Sequence, residues 1–582
     1  MKKYTLYKRC ETRDMRHKIT RYSLLTTRNF IFTCLLSLLP CLTYAQNTVG
    51  IIQNDSLAFN GYTLFAPAAS METYLIDNCG NVVNSWESNY RPGEVAYLLE
   101  NSNLLRACRL ASGTFFGGGI GGRIEIHNWE GELIWSYNYN TDQYHQHHDL
   151  EYLPNGNILL TAWELHSEAE AIDMGRDPTT VNEALWVTQI IEIQPIGTEE
   201  AEIIWEWHLW DHMIQDYDST KANYGVIADH PELLDINFTQ GGGGGGPAGN
   251  SDWIHTNSVD YNPELDQIII SSRHLSEFWV IDHSTTTEEA AGHTGGNAGK
   301  GGDILYRWGN PQAYQRGTAS DQTLYRAHDV HWIPEGLPDA GKIMIFNNGQ
   351  GRPGGSYSSI DVIELPIEPD GNYTLLPDET YGPSELYWTY EASPQQSFYS
   401  SFISGAQRLP NGNTLICEGA RGRFFEVDMA GNTLWTYISP IVFGGPVSQG
   451  DIPNGQNTVF RTYRYTPDYE AFIGRDLTPG DPIELNPTDS DCQILVSIDE
   501  ITVRSRFNIF PNPVTSHFNI VNEDNAEIRI AVFDVAGRTL EERRERDAAF
   551  QMNFNHYQKG VYFIQIYSEK NDLLFTEKII KM

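Results

Sequence analysis

Two histidines and an asparagine stand at matching places in this chain, with a third histidine close to the asparagine. His148 lies six residues before Pro154, His328 six before Pro334 and Asn257 six before Pro263, with His255 two residues ahead of Asn257. Each proline belongs to a turn: Leu153-Pro-Asn-Gly-Asn157, Asn262-Pro263 and Ile333-Pro-Glu-Gly336, with a further copy at Leu409-Pro-Asn-Gly-Asn413. Proline presets φ and Asn-Gly tolerates positive φ, so these segments join strands. Positions two apart on a strand share a face, so His255 and Asn257 are expected to point the same way. Arg273 ends the apolar run Ile268-Ile-Ile-Ser-Ser-Arg273, whose strand is expected to pair with that of His255. Neutral imidazoles beside a guanidinium fork form a receptor for a tetrahedral oxyanion such as a sulfate or phosphate ester. Nucleotide use is not supported, because Gly295-Gly-Asn-Ala-Gly-Lys-Gly301 lacks the Ser/Thr after Lys300 and has Thr294 where a Walker A glycine would stand.

A second repeat supplies the elements that must hold these residues. Its copies are Gly80-Asn-Val-Val-Asn-Ser-Trp86, Gly131-Glu-Leu-Ile-Trp-Ser-Tyr137, Ala201-Glu-Ile-Ile-Trp-Glu-Trp207, Gly302-Asp-Ile-Leu-Tyr-Arg-Trp308, Ser384-Glu-Leu-Tyr-Trp-Thr-Tyr390 and Gly431-Asn-Thr-Leu-Trp-Thr-Tyr437. Most follow a short strand ending in a polar turn, such as Tyr74-Leu-Ile-Asp77, so each reads as a β-hairpin. Two alternating hairpins make a four-stranded unit, and six units predict an all-β, six-bladed β-propeller. The 12% aromatic content and 51 glycines suit such a chain. The histidines then meet if equivalent strands of different blades line the central channel. The uneven spacing of the copies places long loops on some blades, and the runs Gly241 to Gly246 and Gly292 to Gly302 are expected to be flexible loops.

Residues 1–45 read as a signal peptide: basic up to Arg28, apolar from Phe30 to Leu42, then Thr43-Tyr-Ala45 before Gln46. Without this leader, which holds nine Lys/Arg and two Asp/Glu, the formal net charge of −37 becomes −44. Such a surface repels nucleic acid and anionic membranes. Cys79, Cys108, Cys417 and Cys492 remain; export allows a disulfide, but their spacing names no pair. Residues 46–478 would form the propeller, 479–505 a Pro/Asp/Thr-rich linker, and 506–582 a nearly neutral small β-sandwich with ten basic and eleven acidic side chains.

That last segment carries Pro511-Asn-Pro513, Phe533-Asp-Val-Ala-Gly-Arg538, Gly560-Val-Tyr-Phe-Ile-Gln-Ile566 and Lys578-Ile-Ile-Lys581. It resembles the C-terminal sorting domain of the type IX secretion system of Bacteroidetes. The resemblance implies contact with that machinery through 506–582 and a secreted or cell-surface protein.

The body carries five motifs in order: His147-His-Asp149 ahead of a Leu-Pro-Asn-Gly-Asn turn; Asp252-Trp-Ile-His-Thr-Asn-Ser258 followed by Arg273; Ala327-His-Asp329 ahead of Ile345-Phe-Asn-Asn-Gly349; Gly405-Ala-Gln-Arg-Leu-Pro-Asn-Gly-Asn-Thr-Leu415; and Arg461-Thr-Tyr-Arg464. Over roughly residues 60 to 475 it resembles the aryl-sulfate sulfotransferases that work without 3′-phosphoadenylyl sulfate. The resemblance implies sulfuryl transfer from a phenolic sulfate ester to a phenol, ping-pong, with His328 as the transient sulfohistidine. His255 and Arg273 would act with it in catalysis, His148 and Asn257 in binding substrate, with no metal or other cofactor; a homodimer is compatible with this reading. Two departures stand out: Asn347 replaces an expected aspartate, and Tyr357-Ser-Ser-Ile360 lacks an expected arginine.

Other readings use the same residues. Three histidines with Asp149 or Asp329 could hold Zn²⁺ or Ca²⁺ in a hydrolase, although Arg273 would repel a cation there. A non-catalytic propeller for adhesion or glycan binding is the third reading. His145, His166, His230 and His283 read as structural.

Overall fold

The computed structural model describes residues 47–181, 183–240, 251–368, 371–488, 492, 507–510, 513–522, 527–534, 538–547, 549–568 and 573–582. The expected leader, the run Gly241 to Gly246, the 479–505 stretch beyond Thr488 apart from Cys492, and Pro511, Asn512 and 535–537 of the tail motifs lie outside them.

The described chain is nearly all β. Six antiparallel sheets follow one another. The first holds strands Pro92–Leu98, Leu104–Arg109, Gly122–His127 and Leu133–Asn138. The second holds Tyr144–Tyr152, Ile158–Ser167, Ala184–Ile196 and Glu200–His208. The third holds Thr256–Asn262, Gln267–Ser272, Glu277–Asp282 and Tyr306–Trp308. The fourth holds His328–Trp332, Ile343–Asn347, Ser359–Ile363 and Trp388–Tyr390. The fifth holds Gly405–Arg408, Thr414–Glu418, Arg423–Val427 and Thr433–Ile438, with Gly50–Asn54 added outside. The sixth is shared between chain ends: Val459–Tyr465 pairs with Tyr62–Pro67, followed by Glu72–Ile76 and Val82–Glu87.

Strand periodicity explains the packing between sheets. Gln267–Ser272 is buried along its whole length, and alternate residues serve opposite neighbours. Ile268 and Ile270 join a core with Leu159, Val187 and Trp207 of the second sheet, while Ile269 joins one with Val330, Ile343 and Ile345 of the fourth. Met344 and Phe346 turn the other way, toward Ile416 and Phe425 of the fifth. Similar cores lie between fifth and sixth, sixth and first, and first and second sheets. Each isoleucine so buried contributes about 1.5–3 kcal/mol.

At the outer strands, tryptophans of the hairpin repeat tie each sheet to the next. The indole N–H of Trp86 donates to Asn128 O at 2.9 Å, Trp135 to Glu200 O at 3.0 Å, and Trp207 to Gly302 O at 2.7 Å. Trp308 donates to Pro383 O at 3.0 Å, Trp388 to Met429 O at 3.4 Å, and Trp435 to Asn78 O at 2.8 Å. Next to that last acceptor, Cys79 forms a disulfide with Cys492, while Cys108 and Cys417 are free and buried. The described part of the 479–505 stretch hydrogen-bonds to the body: Gly480 N–H donates to Val82 O and Leu485 N–H to Val447 O.

In the tail, a three-stranded sheet of Phe507–Phe510, His517–Asn522 and Ala549–Asn553 and a four-stranded sheet of Ile528–Asp534, Thr539–Glu545, Gly560–Tyr567 and Leu573–Lys581 share one core around Phe518, Val532, Phe554 and Ile564.

Candidate active site

The site residues begin where the innermost strands break their regular form. His148 and His255 both have φ of 54°, and Asp329, directly after His328, has φ of 51°. The pairing shifts register across His148 and across Asp329, and in the strand after His255 it shifts between Thr256 and Val259, so each of the three strands carries a bulge. Bulges re-aim side chains. The left-handed His255 lies ahead of the strand that starts at Thr256 and carries Asn257, so strand alternation does not extend to it.

His148 and His255 come together, their rings 4.7 Å apart and nearly perpendicular. Asp252 Oδ2 holds His255 Nδ1 at 2.5 Å, leaving Nε2 as the free nitrogen, and its other oxygen accepts the Trp163 indole at 3.2 Å. Burial alone would raise the Asp252 carboxyl, but His255, His274 and His147 outweigh it and hold it well below the carboxylate range. The glycine run ahead of the first sheet's third strand closes over this pair: His148 N–H donates to Gly119 O at 2.7 Å, and a Cβ on Gly119 would run into the His148 ring.

The tautomer of His328 can be read from its neighbours. Asn348 donates its amide N–H groups to Ser400 O at 2.8 Å and Ile403 O at 2.9 Å, so its Oδ1 faces His328 Nδ1 at 2.7 Å as an acceptor. Nδ1 therefore carries the proton and Nε2 the lone pair. That lone pair accepts the Ile403 N–H at 3.1 Å. Ile403, a β-branched residue, has φ of 47°, a strained conformation at the point of contact. Burial, followed by the charge of Arg273, pushes the His328 imidazole well below its ordinary value, and burial with His255 does the same for His148. Both are neutral at pH 7.

Arg273 follows the third sheet's second strand, its N–H on His255 O at 3.3 Å. Its guanidinium donates to Gln350 Oε1 at 3.0 Å and Ser401 O at 3.3 Å. Asn257 is committed to the protein: it donates to Ala327 O at 3.0 Å and accepts from Ser271 Oγ at 2.5 Å, tying the third sheet to the peptide before His328. Asn347, at the departure noted above, donates to Asp361 Oδ2 at 3.0 Å, so a carboxylate is supplied from the neighbouring strand.

The aspartates that follow the two histidines share one cation. Arg461, buried in the sixth sheet, donates to Asp149 at 2.7 Å, lies 3.0 Å from Asp329 and donates to Asn257 O at 3.0 Å. Asp149 and Asp329, the carboxylates of the metal reading, are thus occupied. Arg461, Asp252 and Asn348 were present in the sequence motifs without a role; a His-Asp pair at equivalent places in two sheets was the signal for Arg461. His331, on the same strand as His328, approaches Asp329 instead, with Nδ1 3.2 Å from its backbone oxygen. Among the described residues, two groups have ligand atoms within 4.8 Å of one another and could hold a metal: Asp252 with His255 and His274, and His212 with His293 and Asp303.

Comparison with known proteins agrees with the sequence resemblances. The family model for arylsulfotransferase (ASST) matches residues 66–441, and that for a secretion system C-terminal sorting domain matches 508–582. No curated protein matches. Similar solved structures include a protein of unknown function from Bacteroides caccae (9% identity, covering 70% of this chain and 98% of that one, TM-score 0.37). Another is a catalytically inactive variant of virginiamycin B lyase from Staphylococcus aureus with quinupristin (8%, 68% and 89%, 0.30). A third is the periplasmic gluconolactonase of Pseudomonas aeruginosa (11%, 65% and 96%, 0.32). The sorting tail marks the chain for export across the outer membrane, to the cell surface or beyond, through the type IX machinery.

Proposed function

The chain belongs to the arylsulfotransferase family, and on that premise we propose that it is a six-bladed β-propeller which moves a sulfuryl group from a phenolic sulfate ester to a phenolic acceptor through His328. The observation that carries the reading is the state of His328: buried, neutral, with its lone pair fixed on Nε2 by Asn348. The ring of intersheet cores and tryptophan ties supports the propeller.

In the first half-reaction Nε2 attacks sulfur and the S–O bond to the aryl group breaks, its electron pair leaving on the phenoxide. The Ile403 N–H, now on Nε2, turns to a sulfuryl oxygen, and Arg273 neutralises charge on the others. His255, held by Asp252, gives the phenoxide its proton. In the second, the acceptor phenol returns a proton to His255, its oxygen attacks sulfur, and the S–N bond breaks to restore the Nε2 lone pair. His148, against His255, lines the space the sulfuryl group enters.

The test is phenol release from p-nitrophenyl sulfate, with and without a second phenol, by wild type and His328→Ala. Acceleration by the acceptor and a loss of about 10⁴-fold in the variant are expected. Absence of release by the folded protein across several aryl sulfates would favour the binding propeller. Release abolished by chelator would favour a metal at Asp252, His255 and His274.

A further inference from the structure

We propose that His212, His293 and Asp303, outside the site described above, form a binding site for a divalent transition metal of the zinc type. Asp303 Oδ1 is approached by two imidazole nitrogens at once, His212 Nδ1 at 2.8 Å and His293 Nδ1 at 2.7 Å. His212 is wholly buried and stacks on Trp207, with ring centroids 5.7 Å apart. Its other nitrogen, Nε2, faces Ala290 O at 2.8 Å.

Both partners of His212 are acceptors. With protein atoms alone a single ring proton satisfies one of them and leaves the other acceptor against a lone pair. A metal among the three ligand atoms removes the conflict: His212 stays neutral, Nε2–H donates to Ala290 O, and the Nδ1 lone pair binds the cation. An outer hydrogen bond to a backbone carbonyl is how a ligating histidine is commonly oriented. Two imidazoles and one carboxylate match the three-ligand catalytic or exchangeable type of zinc site, and imidazole disfavours Ca²⁺ and Mg²⁺. Bonds of about 2.0 Å in a tetrahedron separate ligand atoms by about 3.3 Å, so the contacts to Asp303 must open by roughly half an ångström; the exposed His293 ring would give that on its side, and a turn of the Asp303 carboxyl on the side of the buried His212. The fourth ligand is water, because His293 also lines a cavity of about 510 Å³ with Trp210, Asp211 and His230.

The surrounding loop is built for this geometry. The run Gly292 to Gly302, expected from sequence to be a flexible loop, is stitched to itself: Gly301 N–H donates to Gly295 O and Gly302 N–H to Gly292 O, each at 3.0 Å. A Cβ on Gly302 would collide with Ala290 O and lie 2.7 Å from His212 Nε2, so glycine there lets the loop seat Asp303 against the histidine. The metal would join the segment after the second sheet to the loop of the third, beside the Trp207 tie.

Isothermal titration of the EDTA-treated full-length protein with ZnCl₂, and the visible absorption of its Co²⁺ form, test the site. Wild type and His255→Ala should each bind one Zn²⁺ per chain, whereas His293→Ala and Asp303→Asn should bind at least about 100-fold more weakly. Zinc should raise the Tm of wild type and leave that of His293→Ala unmoved, while EDTA leaves phenol release from p-nitrophenyl sulfate unchanged. His293 is exposed, so its variant should fold. No stoichiometric binding by wild type, binding that survives His293→Ala, or binding lost only in His255→Ala would each overturn the proposal.

Discussion

At its outer strands this molecule repeats itself, and at the inner ends of its sheets it does not. Six indoles, one per sheet, donate to a backbone oxygen of the next sheet, and the chemistry is the same each time. The inner positions share only a backbone habit: Glu94, His148, His255, Asp329 and Ser404 all have positive φ, at 103°, 54°, 54°, 51° and 96°, yet four different residue types occupy the five places. The difference teaches where each job is done. Because cores and indole ties hold the sheets, the inner bulges are free to diverge, and strain there can position chemistry without determining the fold.

Arg461 is the one place where an inner residue should behave like a structural one. Arg461→Met leaves two buried carboxylates uncompensated, an expected loss of about 3–5 kcal/mol in denaturant unfolding. Aryl sulfate turnover should fall with it, since Asp149 and Asp329 adjoin His148 and His328. If the variant keeps full stability, the inner region contributes nothing to holding the fold and the separation from the outer region is complete.

The Cys79–Cys492 bond tests the opposite region. It anchors the segment after the sixth sheet beside the Trp435 tie, where the beginning and end of the body meet. Cys492→Ser should cost about 2–5 kcal/mol, with turnover at 25 °C unchanged.

The tryptophan ties should be graded. Trp435→Phe and Trp207→Phe, both wholly buried with bonds of 2.8 and 2.7 Å, are expected to lose about 1–3 kcal/mol from an unsatisfied carbonyl and a cavity. Trp388→Phe, half-buried with a 3.4 Å contact, should lose under about 1 kcal/mol. None should alter turnover; Tm and activity measured on the same preparations check both halves of the statement.

The two regions differed equally in how far the sequence could reveal them. The hairpin repeat is regular, so Trp86, Trp135, Trp207, Trp308, Trp388 and Trp435 announced both the strands and their places. The turns at Pro154, Pro263 and Pro334 likewise lie where the spacing put them. Spacing also found His148 and His255, which meet. It could not find the bulges, because left-handed φ at a histidine or aspartate leaves no mark in residue type. Nor could it find Arg461 as the partner of Asp149 and Asp329, since those residues lie 312 and 132 positions away in the chain. The pairing of Cys79 with Cys492 depends on the same long-range closure. The glycine run at 292–302 misled for a different reason: composition suggests freedom, whereas here glycine permits close approach.

Acid separates the two regions by the smallest margin. Burial keeps His145 near about 4, His147 and His274 near about 3, and His148 and His328 well below the ordinary 6.5. Each is neutral when folded and takes up a proton on unfolding as pH falls below 6.5. The unfolded chain then binds more protons, so stability is lost as pH drops from 6.5 toward those lower values, by about 1.36 kcal/mol per unit per histidine. His208, His283 and His331 work the other way. Burial lowers each, but carboxylate partners outweigh it and raise them, so their contribution is full below the unfolded value and lost as pH rises through the folded one. Those three add no slope below 6.5, so the five lowered histidines set a decline between pH 6.5 and about 4 in chemical unfolding. The site gives a cleaner reading than the whole, because His328, the proposed nucleophile, is held neutral and does not titrate at 6.5. The acid limb of kcat/KM for an aryl sulfate should therefore fall well below that value. A limb centred at 6.5 would mean that His328 is solvated during turnover and that the inner region opens far more than its burial here allows.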